Sequence, residues 1–386
     1  MKISDEFLMA EAVKKTGLSD WGDEEGFREP LRMLIRSFRE DEPRGRNLMP
    51  QFCGVIVDIL SKRLLIQKIF RSHPEVGNIP VKRPLFITGL ARTGTTLLHN
   101  LLNLDALTRT LLYWELADPV QSSVGPGGSS DALIKAVERE LINAYSGNPE
   151  ILKVHEIKAD GPEECKYLMF LTFMTTAFYP SFRVLGYLEW LFHQDLTHAY
   201  KYYRKLLQLF LWRKHGEPMV LKCPFHLPYL DWVFKVFPDA NVVWLHRDPC
   251  EAIPSSLSLV KTFFPPTDID MDEITALTCK YSADSVNRGL KIRDNRNSQG
   301  FLDVGYRELL DDPIKVVRRI YEKFNYDFTP QLEVDMKEWL RENPQNKHGI
   351  HKYSLEQFGL KQEVIKEALR DYYQGFSGLM AAKENN

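Results

Sequence analysis

The stretch FITGLARTGTTLL, residues 86–98, constrains the fold of this chain more than any other. An apolar run ends in a loop with two glycines, and the chain resumes as an apolar helix. A strand, a glycine loop and a helix in this order form a phosphate cradle, because N–H groups at a helix N-terminus bind anions and glycine permits close approach. In an ATP- or GTP-binding P-loop a lysine follows the second glycine, whereas here two threonines follow Gly94 and the cation is the earlier Arg92. The loop therefore predicts a phosphorylated ligand whose transferred group is not a γ-phosphoryl.

Apolar runs that alternate with helical segments predict an α/β fold around this loop. Runs at 85–88, 219–221, 242–245 and 301–304 have the composition of buried parallel strands, and 227–237 reads as one of the helices between them. Such alternation predicts a P-loop-like parallel sheet flanked by helices, with right-handed crossovers.

Periodicity also divides the chain into segments. Residues 1–79 read as a helical N-terminal cap, because their apolar residues recur three and four positions apart. The α/β core is expected at 80–325, with a helical substrate-side insertion at 120–215. From residue 326 to 386 the chain reads as helical again.

Composition excludes several classes of protein and partner. The net charge of −2 over 386 residues provides no basic field for nucleic acid. Five cysteines without CxxC spacing indicate a reducing compartment with neither a disulfide framework nor a zinc site. The charged start MKISDEFLMAEAVKK lacks the apolar core of a signal peptide, and the longest uncharged run, 167–182, is too short and proline-broken to span a membrane. We therefore expect a cytoplasmic protein that binds a small molecule.

A second motif predicts a second anion site. The strand VVWLH leads directly into Arg247, and Ser255 follows on the next predicted helix. In an open α/β sheet, ligands bind outside the carboxyl ends of the strands. A guanidinium fork and a hydroxyl at that edge suit a second phosphate. The competing interpretation is a surface pair of Arg247 with Asp248 and a serine that caps the helix.

Together, FITGLARTGTTLL and LHRDPCEAIPSS resemble the two donor-binding motifs of sulfotransferases that use 3′-phosphoadenosine 5′-phosphosulfate (PAPS). The resemblance covers roughly residues 82–360 and is closest to the broad bacterial branch of that superfamily. Other segments match in the same order: YWE at 113–115, LKCPFHLPYLDWVFKVFPDA at 221–240, DVGYRELLDDP at 303–313 and HKYSLEQFGL at 351–360.

The resemblance assigns residues to the donor. It implies that one run of the loop holds the 5′-phosphosulfate: Arg92, Thr93, Gly94, Thr95 and Thr96. It also implies that Arg247 and Ser255 hold the 3′-phosphate, with Tyr306 near the donor. In this family a late basic loop closes over the donor, and the C-terminal segment offers three candidates for it: Lys347, His348 and Lys352.

The resemblance also implies which residues perform the transfer. Lys222 matches a lysine that stabilises the transition state in tyrosylprotein-type enzymes, and with Arg92 it would neutralise the leaving phosphate. Such transfer depends on positioning and charge neutralisation, so fixed cations suffice and no metal is expected.

A base must take the acceptor proton. Glu115 resembles the glutamate base of tyrosylprotein and heparan N-sulfotransferases. Cytosolic members use a histidine where Pro224 stands here, so His226 and His155 remain open as substitutes.

The expected reaction moves a sulfuryl group from PAPS to a hydroxyl, or less readily an amine, of an apolar acceptor and releases adenosine 3′,5′-bisphosphate. Two alternatives are a P-loop kinase, which would need a lysine after Gly94 and an acidic magnesium site, and a nucleotide-binding protein without catalysis. The aromatic stretch 167–192 fits either an acceptor pocket or a helical core. The sequence leaves the identity of the acceptor open. It also leaves open whether the protein forms a homodimer.

Overall fold

The computed structural model of the chain describes residues 3–41, 48–121, 130–154, 156–263, 270–344 and 353–380. The described residues contain a five-stranded sheet with the strand order β2-β3-β1-β4-β5. The strands are β1 Leu85–Gly89, β2 Arg109–Thr110, β3 Met219–Lys222, β4 Asn241–His246 and β5 Phe301–Gly305.

Helices make up most of the rest of the described chain. In chain order they are α1 Asp5–Thr16, α2 Glu25–Asp41, α3 Met49–Ser72, α4 Thr95–Asn103, α5 Tyr113–Ala117, α6 Asp131–Gly147, α7 Ile151–Val154, α8 Lys166–Phe170, α9 Tyr179–Phe182, α10 Leu185–Phe192, α11 Thr197–Arg213, α12 Leu230–Val236, α13 Pro249–Phe263, α14 Met271–Asn295, α15 Tyr306–Asp311, α16 Pro313–Phe324, α17 Pro330–Glu342, α18 Gln362–Ala368 and α19 Arg370–Met380. Short 3-10 helices lie at Pro74–Asn78, Thr176–Phe178, Pro224–Tyr229 and Glu356–Phe358.

All neighbouring strands run parallel, which confirms the predicted α/β fold. The central strand β1 pairs with β3 through Ile87 and Lys222, and with β4 through Gly89 and Leu245. Every residue of β1 is buried, because helices cover both faces of a parallel sheet. The carboxyl ends of β1, β3, β4 and β5 consequently meet at one edge, where open α/β sheets bind ligands.

The structure differs from the sequence-based expectation at two elements. The strand β2 was missed, because it has only two residues and is defined by pairing of Arg109 with Met219 rather than by an apolar run. The predicted helix at 227–237 starts as the 3-10 helix Pro224–Tyr229 and becomes an α-helix only at Leu230. Proline lacks the N–H of an α-helical hydrogen bond, and two prolines in this turn delay the α-helix.

The helix α4 is fixed to the sheet by its apolar face. Leu98, Leu101 and Leu102 are fully buried and belong to one core cluster with Leu85 and Ile87 of β1. Residues three and four apart share a helix face. Truncation of one such leucine to alanine would cost about 2–5 kcal/mol, so the position of the helix N-terminus is strongly determined.

The chain divides into two compact units, each assembled from three stretches. The first comprises Met1–Val81, Trp114–Leu133 and Cys165–His215. The second comprises Lys82–Tyr113, Ile134–Glu164 and Gly216–Asn386 and contains the sheet.

The first unit is helical and has an aromatic core. The rings of Phe38 and Phe52 stack with their centroids 4.0 Å apart, and Phe182 meets both edge-on. Phe173 and Tyr187, from the aromatic stretch 167–192, are fully buried. These side chains of the stretch therefore belong to the core of this unit. In the part of the chain that is described, no helix has both the length and the apolarity to cross a bilayer.

Candidate functional site

The loop between β1 and α4 requires both of its glycines. Gly89 has a φ of +146°, and a Cβ there would lie 2.5 Å from the carbonyl oxygen of Leu245. Gly94 has a φ of +90°, and its Cβ would meet Leu309 at 3.0 Å and Tyr306 at 3.1 Å. Side chains rarely adopt such φ values and would not fit this space. The loop is therefore built for close approach to its neighbours and to a ligand.

The helix α4 presents its N-terminus to this loop without a side-chain cap. Gly94 is the N-cap residue and, as a glycine, supplies no side-chain cap to the first turn. The first amides of a helix need acceptors and carry partial positive charge, so an uncapped start favours an anion. The Thr93 hydroxyl donates to the carbonyl of Leu90 at 2.8 Å and holds the loop closed. Of the two threonines that follow, Thr95 is buried and Thr96 is exposed.

The structure joins the two predicted anion-binding motifs into one site. Nε of Arg92 donates to Oγ of Ser255 at 3.2 Å, and Nη1 of Arg247 donates to the main-chain carbonyl of Arg92 at 2.8 Å. The two loops follow β1 and β4, which are neighbours in the sheet. At 12% side-chain exposure, Arg247 is not a solvated surface residue.

Two guanidinium groups in this site favour a bound anion. Arg92 has a φ of +69°, a left-handed conformation that is costly for a residue with a side chain. Burial lowers the pKa of Arg92, and the positive charge of Arg247 lowers it further. An anion between the two side chains would relieve this repulsion and replace their lost hydration.

Further side chains surround the Arg247 guanidinium. It lies over the ring of Tyr306, 4.4 Å from the ring centroid. Nη2 donates to the Tyr353 hydroxyl at 2.8 Å, and Nε donates to Glu251 at 3.1 Å. Glu251 also accepts from Arg307 at 3.3 Å. These contacts fix the guanidinium plane above the carboxyl end of β4.

At the end of β3, Lys222 is held by two carboxylates. Its side chain is only 1% exposed, and Nζ lies 3.1 Å from Glu164 and 3.7 Å from Glu163. A buried ammonium needs such partners, because removing one member of a buried ion pair leaves an uncompensated charge. Lys222 pairs in register with Ile87 of β1, so its strand is the neighbour of the strand that leads into the glycine loop.

Comparison with known proteins identifies the family. A model of the sulfotransferase family matches residues 84–330, a range that includes both predicted anion-binding motifs. This chain belongs to the sulfotransferase family.

Solved sulfotransferases share its fold over almost the whole chain. Sulfotransferase STF1 from Mycobacterium tuberculosis has a TM-score of 0.82 at 28% identity, covering 96% of this chain and 99% of that one. Sulfotransferase STF9 from Mycobacterium avium has a TM-score of 0.80 at 28% identity, covering 97% and 96%. Omega-hydroxy-beta-dihydromenaquinone-9 sulfotransferase Stf3 of Mycobacterium tuberculosis is 24% identical over 316 residues, 80% of this chain and 79% of Stf3. The chain is a sulfotransferase enzyme.

The candidate bases of this sulfotransferase lie in different surroundings. Glu115 is 2% exposed, on the short helix α5, and is assigned to the first unit, whereas the described residues that were predicted to bind the donor are in the second. His226 is fully buried with its ring edge-on to Phe86, and burial lowers its pKa to about 3. A buried imidazole with so low a pKa is a weak proton acceptor. His155 lies outside the described residues.

Sequence reasoning missed several polar residues near the strand ends. Glu163 and Glu164 were not among the predicted site residues, because their contact with Lys222 joins parts of the chain that no local pattern links. His99 is 1% exposed on α4, and burial together with the nearby Lys222 lowers its pKa to about 3. Tyr353 was part of the HKYSLEQFGL motif but was not assigned to the site.

The structure does not describe the three residues that were predicted to close over the donor. Lys347, His348 and Lys352 lie outside the described residues. Among the residues that are described, no three or more histidine, cysteine, aspartate or glutamate side chains are grouped to hold a metal ion.

Proposed function

We propose that this sulfotransferase transfers a sulfuryl group from PAPS to a hydroxyl of an apolar small molecule and releases adenosine 3′,5′-bisphosphate. The observation that carries the proposal is the junction of Arg92, Ser255 and Arg247. It links an uncapped helix N-terminus and a second guanidinium at one sheet edge. A donor with phosphates at both the 5′ and 3′ positions needs two such anion sites, separated by no more than the length of one nucleotide.

The described residues fit this donor. The amides that begin α4, together with Arg92 and Thr93, would hold the 5′-phosphosulfate. Arg247 and Ser255 would hold the 3′-phosphate, for which their present bonds to the phosphate-binding loop would be exchanged or shared. Tyr306 packs against both Gly94 and Arg247 and would set the distance between the two sites.

PAPS supplies a sulfuryl group joined to a good leaving group, and the protein positions that group and neutralises charge. The acceptor oxygen forms a bond to sulfur while the bond from sulfur to the phosphate oxygen breaks. Lys222 and Arg92 would stabilise the charge that develops on that phosphate oxygen. Preorganised cations of this kind act most strongly where water is excluded, and the 1% exposure of Lys222 fits this requirement.

The acceptor proton passes to a base. We retain Glu115 as the first candidate, on the resemblance to enzymes with a glutamate base. Glu164 is a second candidate, because its carboxylate is already 3.1 Å from Lys222 and its side chain is 16% exposed. The burial and low pKa of His226 argue against His226 as the base. His155, which lies outside the described residues, remains an alternative.

The acceptor is proposed to be an apolar molecule with a terminal hydroxyl. The name of Stf3 specifies an omega-hydroxylated dihydromenaquinone as the acceptor of that relative. In this chain we assign acceptor recognition to the insertion 120–215. We also propose a cytoplasmic location, because none of the five cysteines forms a disulfide, as is usual in a reducing compartment.

The experiment is a transfer assay with sulfur-labelled PAPS. The purified enzyme is incubated with long-chain alcohols and omega-hydroxylated prenyl quinones, and label in the organic phase is counted. Methyl ethers of the same compounds are the matched controls, and ATP with magnesium is the rival donor. We expect label only on compounds with a free hydroxyl. Phosphorylation of an acceptor by ATP would favour the kinase alternative, and donor binding without transfer to any acceptor would favour the non-catalytic one.

A further inference from the structure

The C-terminal segment 353–380 is bound to the strand that carries Arg247. The hydroxyl of Tyr372 lies 3.0 Å from Nδ1 of His246, the last residue of β4. One residue later, Tyr373 donates to Asp248 at 2.5 Å. Helix α19 packs on β4 and β5, and helix α18 packs on α13, the helix that carries Ser255. The segment is therefore positioned by the same elements that position the donor site.

Tyr353 begins this segment and reaches the donor site directly. Its hydroxyl accepts a hydrogen bond from Nη2 of Arg247 at 2.8 Å. The following turn fixes its main chain, since Gln357 accepts from the amide of Ser354 at 3.2 Å. Gly359, in the left-handed conformation, ends the short 3-10 helix of this turn, which packs against α14.

The chemistry of this contact suits a shared anion. A guanidinium only donates hydrogen bonds, so the phenol oxygen is the acceptor in the contact with Arg247. The same phenol has a rotatable O–H that donates, and a phosphate oxygen bound by Arg247 is a strong acceptor for it. Arg92, Arg247 and the Tyr353 hydroxyl would then contact one bound nucleotide.

We propose that Tyr353 is a donor-binding residue whose hydroxyl, with Arg247 and Ser255, completes the site for the 3′-phosphate. The proposal rests on the proposed function, since it requires a donor with a 3′-phosphate. It assigns a role to the tyrosine of HKYSLEQFGL, to which the resemblance gave none.

The test compares Tyr353→Phe with the wild-type enzyme by calorimetry, using adenosine 3′,5′-bisphosphate and adenosine 5′-monophosphate. The variant keeps the ring and removes only the hydroxyl. We expect the bisphosphate to bind about tenfold to a hundredfold more weakly, the loss of one hydrogen bond to a charged group. Binding of the monophosphate should change less than about twofold. In turnover, KM for PAPS should rise while kcat stays within about twofold.

Tyr373→Phe is the matched control, because it removes a hydroxyl of the same segment that bonds Asp248 and not Arg247. It should leave the ratio of the two affinities unchanged, and melting curves report whether either variant is unfolded. A double variant with Arg247→Ala should lose less than the sum of the single losses, as expected for two groups on one phosphate.

Unchanged bisphosphate affinity in Tyr353→Phe would overturn the role of Tyr353, and tighter binding would show that the phenol masks Arg247 instead. In either case a wild-type preference for the bisphosphate keeps the proposed donor. A wild-type enzyme without that preference would overturn the proposed donor, and the role of Tyr353 with it.

Discussion

Replacement of Lys222 by methionine tests the proposed chemistry with the least ambiguity, provided that its carboxylate partner is varied too. The ammonium is 1% exposed and lies 3.1 Å from Glu164. Its removal leaves the buried carboxylate of Glu163 and the half-buried one of Glu164 without this cation, which we expect to lower the free energy of unfolding by about 3–5 kcal/mol. Lost activity in Lys222→Met alone would therefore combine lost folding with lost catalysis.

The double variant Lys222→Met, Glu164→Gln separates the two effects. It replaces the ion pair of Lys222 and Glu164 by neutral groups of similar size, and such exchanges are often neutral for stability. We expect the double variant to regain part of the lost unfolding free energy, since position 164 is then neutral while Glu163 keeps its charge. Catalysis should stay impaired, because a preorganised cation at the leaving group contributes about a hundredfold to a thousandfold to kcat.

The assays are urea unfolding for stability, calorimetry for adenosine 3′,5′-bisphosphate and sulfur-label transfer for kcat. If Lys222 acts in the transition state, kcat of the double variant falls by that factor relative to Glu164→Gln alone, which also controls for a role of Glu164 as the base, while bisphosphate affinity changes less than about threefold. The reasoning is refuted if the stable double variant turns over at nearly the wild-type rate. An affinity loss as large as the rate loss would instead make Lys222 a ground-state binding residue.

Three further predictions concern the donor site, the base and the dependence on pH. Arg247→Ala should weaken adenosine 3′,5′-bisphosphate by about tenfold to a hundredfold in calorimetry and adenosine 5′-monophosphate by less than about twofold, because it removes charged hydrogen bonds to one phosphate; equal losses would contradict the 3′-phosphate role. Glu115→Gln should lower kcat by about a hundredfold or more at unchanged bisphosphate affinity, as loss of a general base does, and Glu164→Gln by less than tenfold; the reverse order, measured by label transfer, would assign the base to Glu164. Burial, aided at His99 by Lys222, holds the pKa values of His99 and His226 at about 3, below the unfolded value of about 6.5. Between these two pH values the unfolded state binds more protons than the folded state. The free energy of unfolding therefore falls as pH drops below about 6.5, by about 2 kcal/mol per histidine at pH 5. Urea unfolding at pH 7.5 and pH 5 checks this, and a drop that persists in full in the variant with both histidines replaced by glutamine would exclude them as its source.

The sheet edge could be predicted from the sequence, because the motifs that define it are short and contiguous. The loop between β1 and α4 is defined by a motif of consecutive residues, and every strand except β2 is marked by an apolar run. The position of Arg247 beside Arg92 followed from one rule, that the carboxyl ends of parallel strands meet at one edge. The hydrogen bond from Arg92 to Ser255 agrees with this rule.

Contacts between distant parts of the chain could not be predicted in this way. Glu164 reaches Lys222 from a stretch between helices, and no periodicity relates the two. Tyr353 reaches Arg247 only because helices after it pack on the sheet. The burial of His226, which weakens it as a base, depends on the packing of the 3-10 helix Pro224–Tyr229 against β1. Tertiary packing rather than local pattern decides each of these.

The central claim is that one adenosine bisphosphate spans the loop after β1 and the loop after β4. A crystal structure with adenosine 3′,5′-bisphosphate tests it most directly. The account predicts the 5′-phosphate on the amides of Gly94 to Thr96, and the 3′-phosphate within hydrogen-bond distance of Arg247 and Ser255. A 3′-phosphate bound elsewhere, or a nucleoside triphosphate with magnesium that outcompetes the bisphosphate for the loop, would contradict it.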